Sequence, residues 1–366
     1  MTITSLPLRR ELLPSETPLA LLNADGTPTS GSPLTMPPDD VLLDLHRRMV
    51  LGRRFDTQAT ALTKQGRLAV YPSSRGQEAC EVGAVVALRE QDWLFPTYRD
   101  SVALVTRGVD PIETLTLLQG GWHLGYDPYE LRVGPQCTPL ATNTLHAVGV
   151  AHAARYKGED SVSLVLLGDG ATSEGDTHEA LNFAGVWQAP VVFLVQNNGY
   201  AISVPMSKQN VAPSLAHKGI GYGVPSLLVD GNDPAAVYAA VRDSVETARA
   251  GGGPTLIEAI TYRVEAHTNA DDANRYRDAD EVASWLGRDP LDRLETYLTS
   301  RGLLDDARRA AVLEEAEAFA ASVRDGMNAE VDVDPMDLFK HVYAEPTANL
   351  REQAAMLAAE IAGENA

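Results

Sequence analysis

Short runs of branched apolar residues, each closing on a small polar cluster, constrain this chain more than any other feature. Val162 to Leu167 ends in Gly168-Asp169-Gly170, and Val191 to Val195 ends in Asn197-Asn198-Gly199. Leu227-Leu228-Val229 ends in Asp230-Gly231-Asn232, and Thr255 to Tyr262 leads into a loop with His267. Helical patterns fall between them, from about Glu174 to Trp187 and from about Pro234 to Ala248. Runs this apolar have no polar face to give to water, so each must lie between two layers of other elements. Strands alternating with helices build βαβ units. The expected fold class is α/β, a parallel sheet with helices on both faces, carrying an N-terminal arm and a helical C-terminal segment.

The flanks set the expected boundaries. Residues 1–38 are rich in Pro, Ser and Thr and hold no sustained apolar period, which predicts an extended arm. Asp39 or Asp40 can cap a helix whose face holds Val41, Leu42, Leu45, Met49 and Val50, and a second helix is expected near Gln77-Glu78. The α/β domain is expected over 39–280 and a helical segment packed on it over 281–366, with a long amphipathic stretch from Leu303 to Val323.

Composition excludes several classes of partner. Thirty basic residues against 50 acidic leave a formal charge of −20, which argues against nucleic acid and anionic membrane as ligands. Any phosphate bound must be a small one. Cys80 and Cys137 are the only cysteines of the 366-residue chain and sit in no CxxC spacing, so neither a disulfide framework nor a structural zinc site is expected. With no signal-length segment and no apolar run of about 18 residues, the cytoplasm is the expected compartment.

In open parallel sheets, ligands bind beyond the carboxyl ends of the strands, where these polar clusters fall. Gly168 and Gly170 permit a sharp turn and close approach, and the helix start after them suits an anion. Asp169 between them would repel a phosphate unless a divalent cation lay in between, and magnesium is the expected bridge. Asn198 at the next strand end can add a side-chain oxygen and the Gly199-Tyr200 turn a backbone one. Singly, each triplet is an ordinary turn; together, at neighbouring strand ends, they make a site. A nicotinamide-dinucleotide fold is the alternative, but its GxGxxG motif is missing after the first strand.

The run GDGATSEGDTHEALNFAGVWQAPVVFLVQNNGYAIS at 168–203 resembles the thiamin-diphosphate motif, which opens with GDG and closes with NN. TYRD at 97–100, TPLATN at 138–143 and YRVEAHTNADDANRYR at 262–277 resemble the α subunit of the thiamin-diphosphate-dependent decarboxylating (first) component of 2-oxo acid dehydrogenase complexes. The resemblance spans about residues 40–345. NNGYAIS, VDGND and HTNADD resemble the branched-chain branch, while GQEA at 76–79 is shared with the pyruvate branch. It implies oxidative decarboxylation of a 2-oxo acid and acylation of a lipoyl group. Asp169, Asn198 and the Tyr200 carbonyl would hold magnesium, and Tyr98 and Arg99 the diphosphate. Gly168, Gly170 and Ala171 would line that group, Thr138, Leu140 and Ile202 would shape the cofactor's middle, and Arg263 and His267 would approach from the last strand. His267 would be the active-site histidine. The resemblance also raises a potassium site near Cys137, Pro139, Thr142 and Asn143, where two side chains depart from the family's.

One sheet is too little chain for both halves of a thiamin site, so the resemblance implies a β subunit, an α2β2 assembly and docking onto a lipoyl acyltransferase core. Residues 120–137 are shorter than the family's basic stretch, so His123, Arg132, the β subunit or mobile loops would have to stand in. Gln196 replaces an arginine of some relatives. Tyr71, Pro72 and Leu124 are candidates for the substrate pocket. Pyruvate and acetoin dehydrogenase α subunits are the nearest alternatives, and a non-catalytic scaffold of the same fold is the alternative of another class.

Overall fold

The structure, a computed structural model, describes residues 12–120, 124–329 and 334–364. Its main sheet holds β1 (Trp93–Phe95), β2 (Ser163–Gly168), β3 (Val191–Asn197), β6 (Ser226–Asp230) and β7 (Thr255–Ile260), all parallel, in the order β1-β2-β3-β7-β6. β4 (Tyr200–Ala201) and β5 (Val204–Pro205) form a small antiparallel hairpin after β3.

Helices α1 (Asp39–Lys64), α2 (Glu78–Val86), α3 (Ser101–Arg107), α4 (Pro111–Thr116) and α5 (Pro128–Leu131) precede α6 (Thr142–Lys157). α7 (Gly175–Trp187), α8 (Pro234–Thr247), α9 (Ala279–Leu286), α10 (Pro290–Ser300) and α11 (Asp306–Asn328) follow. One compact unit runs to Met327; a second, Asn328–Ala366, holds α12 (Asp337–Lys340) and α13 (Ala348–Glu364). Among the described residues no helix is long and apolar enough to cross a membrane.

The pleat explains why the strands are apolar throughout. Leu164, Leu166, Val192 and Leu194 share one core with Leu42 and Met49 of α1, Val82 of α2 and Val237 of α8. Val165, Leu167, Phe193 and Val195 point the opposite way, into a second core with Ala151 of α6 and Leu181 and Ala184 of α7. Helices on both faces of a parallel sheet are what the alternating pattern predicts. Asp39 and Asp40, expected as caps of α1, instead lie in its first turn behind Pro38, where they face the positive helix end.

Two departures from the expected pattern decide where a ligand can bind. β1 is too short for any period to announce it, yet Leu94 pairs with Leu164 and brings residues 97–100 to the carboxyl edge of the sheet. β6 is the far edge strand, and its polar end serves structure instead. Asp230 pairs with Arg293 at 2.8 Å, and Asn232 accepts from Thr261 at 2.7 Å. Asp233 caps α8 through the amides of Ala235 and Ala236 and also accepts from the amides of Leu21 and Leu22 at 2.6 and 2.7 Å. Leu19 bridges Val229 in parallel, so the N-terminal arm covers the exposed side of β6.

Candidate functional site

A cleft of about 480 Å³ opens at the carboxyl ends of β1, β2, β3 and β7. The structure brings every residue expected to hold the cofactor or its metal to it: Tyr98 and Arg99 after β1, Gly168 to Ala171 after β2, Asn198, Tyr200 and Ile202 after β3, and Arg263 and His267 after β7. Thr138 and Leu140 reach it because residues 133–137 run beside β1 through bridges Leu94–Val133 and Thr97–Cys137. Val70, Pro72 and Leu118 supply an apolar wall.

One wall suits a cation. Asp169 is 1% exposed, and burial pushes its carboxyl above the usual carboxylate range. Its Oδ2 accepts from Gln209 at 2.6 Å, and among the described residues it forms no ion pair. A buried carboxylate hydrogen-bonded to a neutral side chain and in no ion pair is poorly compensated, which a bound cation would correct. Asn198 Nδ2 donates to Gln77 Oε1 at 2.8 Å, leaving Oδ1 to accept from the Tyr200 amide at 3.2 Å. No three His, Cys, Asp or Glu side chains among the described residues converge as a metal cluster. A cation here would therefore combine one carboxylate with neutral oxygens and ligand phosphate, a hard set of the kind magnesium takes. The cradle has room for that phosphate, since a Cβ added at Gly168 would meet nothing within 4 Å. At Gly170 a Cβ would meet the Ala201 side chain at 2.8 Å, so glycine is required for the GDG turn to pack on β4. Arg263 Nε is buried without a partner at this wall.

Two apolar side chains stand in the cleft with little cover. Ile202 is 55% exposed at φ +56°, a backbone region that β-branched residues avoid. Its carbonyl accepts from Arg263 Nη2 at 2.7 Å, which helps hold the tight β4–β5 turn in that conformation. Leu140 is also exposed and precedes Ala141 at φ +67°.

The opposite wall centres on His267. Arg99 Nη1 donates to the Ser73 carbonyl at 2.9 Å, while Nη2 reaches His267 Nδ1 at 3.0 Å and the His267 carbonyl at 3.2 Å. The Tyr98 ring meets the imidazole edge-on with centroids 6.0 Å apart. Burial, then the charges of Arg99 and Arg263, lower the His267 pKa to about 4. A guanidinium is always a donor, so Nδ1 must accept and the imidazole proton sits on Nε2. Asp271 fixes the loop by accepting from the His267 amide at 2.8 Å and from the Tyr276 hydroxyl.

Other expectations are corrected. Tyr71 turns into the core and donates to Asp56 at 2.9 Å, while Leu124 packs against the core; of that trio only Pro72 lines the cleft. Asp56, pushed up to about 6 by burial, also accepts from Ser73 Oγ and the Ser74 amide and so fastens the loop bearing Pro72. Arg132 lies beside the middle of β1 and not at the cleft, and His123 lies outside the described residues. Thr142 Oγ1 donates to Asp176 and the Asn143 amide donates to the Phe95, Pro96 and Leu166 carbonyls, so these side chains from the expected potassium segment are engaged within the protein. Sequence reasoning gave no role to Gln77, Asp100 or Gln209. Gln77 and Asp100 stand inside the GQEA and TYRD stretches, and Gln209 lies just beyond NNGYAIS, so position was their only signal.

The model of the family described as dehydrogenase E1 component matches residues 46–329. The chain is 47% identical over 346 residues, 94% of both chains, to the 3-methyl-2-oxobutanoate dehydrogenase subunit alpha of Mycobacterium tuberculosis. It is 38% identical over 318 residues, 86% of this chain and 85% of the relative, to the pyruvate dehydrogenase E1 component subunit alpha of Staphylococcus aureus.

Proposed function

The chain belongs to the dehydrogenase E1 component family, and from that premise we propose that it is the α subunit of a branched-chain 2-oxo acid dehydrogenase. The observation that carries this reading is the convergence in one cleft of Asp169, Asn198 and Tyr200 on one wall with Arg99 and His267 on the other. The higher identity to the 3-methyl-2-oxobutanoate relative than to the pyruvate relative favours a branched substrate.

In this reading Asp169, the Asn198 side-chain oxygen and the Tyr200 carbonyl hold magnesium. Tyr98, Arg99 and Arg263 face the diphosphate, against the cradle of Gly168, Gly170 and Ala171. Bound there, thiamin diphosphate would supply the carbon nucleophile and the electron sink through which a 2-oxo acid loses carbon dioxide. Thr138, Leu140 and Ile202 support the cofactor's middle. Val70, Pro72 and Leu118 give the substrate's alkyl chain an apolar surface and keep water from it. His267, neutral and protonated at Nε2, donates a hydrogen bond to an oxygen of the bound acid and so orients the acyl fragment for transfer to the lipoyl group. The family works with a β subunit and a lipoyl acyltransferase. We infer an α2β2 assembly in which the β subunit supplies the glutamate for cofactor activation.

The test is decarboxylation of 3-methyl-2-oxobutanoate and of pyruvate by this chain co-expressed with its β subunit, with thiamin diphosphate and magnesium. Preference for the branched acid is expected. Preference for pyruvate moves the substrate within the family, and failure to bind the cofactor at all overturns the reading.

A further inference from the structure

We propose that Gln77 and Gln196, anchored on Asp100, are positioning residues that decide which atom of the Asn198 side chain faces the cleft. The inference rests on the reading of Asn198 as a metal ligand. An Asn side chain offers an oxygen on one side and an NH2 on the other, and only the oxygen can bind a cation.

The four side chains form one buried line. Asn198 Nδ2 donates to Gln77 Oε1 at 2.8 Å, Gln77 Nε2 donates to Gln196 Oε1 at 3.0 Å, and Gln196 Nε2 donates to Asp100 Oδ1 at 2.7 Å. Gln77 and Gln196 are each 2% exposed and Asp100 is fully buried, so water is a poor substitute for any link. The β3 pleat sends Gln196 toward this line and Asn197 the other way, to Glu258 at 2.7 Å. Gln77 and Asp100 come from the starts of α2 and α3, so three separate segments meet here.

Direction follows from the anchor. Asp100 Oδ2 already accepts from the Thr97 amide at 2.6 Å, and Oδ1 accepts from Gln196, so both oxygens act as acceptors. An acceptor at the end forces the NH2 of Gln196 toward it. Its oxygen then faces the NH2 of Gln77, whose oxygen faces the NH2 of Asn198. The oxygen of Asn198 is left to the Tyr200 amide and the cleft.

Two near-isosteric substitutions separate this from a merely structural network. In Asp100→Asn the oxygen stays on the Thr97 amide, so an NH2 now faces Gln196 and every amide along the line must turn over. Asn198 would then present NH2 to the cleft. In Gln196→Glu the new carboxylate still accepts from Gln77, and the sense from Gln77 to Asn198 is preserved while the introduced carboxylate shares one proton with Asp100. The readout is the magnesium concentration giving half-maximal thiamin diphosphate binding to the α–β complex, followed by tryptophan fluorescence. Asp100→Asn is expected to raise it by about 10–100-fold, the usual cost of losing a group that orients a metal ligand, with Gln196→Glu close to the parent. An unchanged requirement in Asp100→Asn overturns the proposal, as does an equal rise in both variants. If Asn198→Ala is also unchanged, the ligand reading fails with it; a rise in Asn198→Ala alone confines the failure to the directed line. Where Asp100→Asn does not assemble with the β subunit, Gln77→Met removes the acceptor for Asn198 and carries the same expectation.

Discussion

The Arg99 guanidinium, set by the end of β1, donates to Nδ1 of His267, set by the loop after β7, at 3.0 Å. This contact ties together one wall of the cleft and assigns the imidazole its tautomer. Because Arg99 is also held by the Ser73 carbonyl, and that loop by Asp56, the histidine is oriented through a chain of buried bonds reaching back to α1.

His267 should therefore stay neutral through the physiological range. Its pKa in the folded chain is about 4 against 6.5 for a free imidazole, so between these values the unfolded chain binds the extra proton. This group then makes stability rise with pH from about 4 to 6.5, and contributes no slope above. Histidine NMR titration should show one imidazole without a transition between pH 5 and 8. In Arg99→Gln its pKa should climb but stop short of 6.5, because burial, the larger cause, remains. A normal titration in the parent chain would refute the arrangement.

Asp169→Asn should uncouple stability from binding. Removing a buried carboxylate that has no ion-pair partner among the described residues relieves a desolvation cost, so the chain without cofactor should be at least as stable as the parent. Thermal melts should nevertheless lose the upward shift that magnesium and thiamin diphosphate give the parent complex. A retained shift would remove Asp169 from the metal site.

Ile202→Gly probes the turn beside the cleft. Glycine accepts φ +56° freely, which relieves strain worth about 1–3 kcal/mol and offsets the greater entropy it loses on folding. Urea unfolding should show unchanged or improved stability, while thiamin diphosphate should bind more weakly for want of the apolar side chain. A clear loss of stability would mean that the Ile202 side chain holds the fold and not the ligand.

Much of the fold and of the candidate site was legible beforehand. Apolar runs of β2 and β3 announce strands covered on both faces, because burial on two sides leaves no position for a polar residue. Motif spacing put Asp169, Asn198 and His267 beyond strand ends, and the structure brings them to one cleft. β1 escaped because three residues carry no measurable period, although it is the strand that delivers Tyr98 and Arg99.

The chain's local order thus determined which residues are strands and helices and which polar residues end them, since these depend on neighbours two to four positions apart. Strand order belonged to the tertiary structure alone. It sent the end of β6 to the sheet edge, where Asp230 serves Arg293, and brought β7 beside β3, so that His267 meets Arg99. Only there, too, did Gln77, Gln196 and Asp100 become one line, because a hydrogen bond acts over about 3 Å and its partners can lie far apart in the chain.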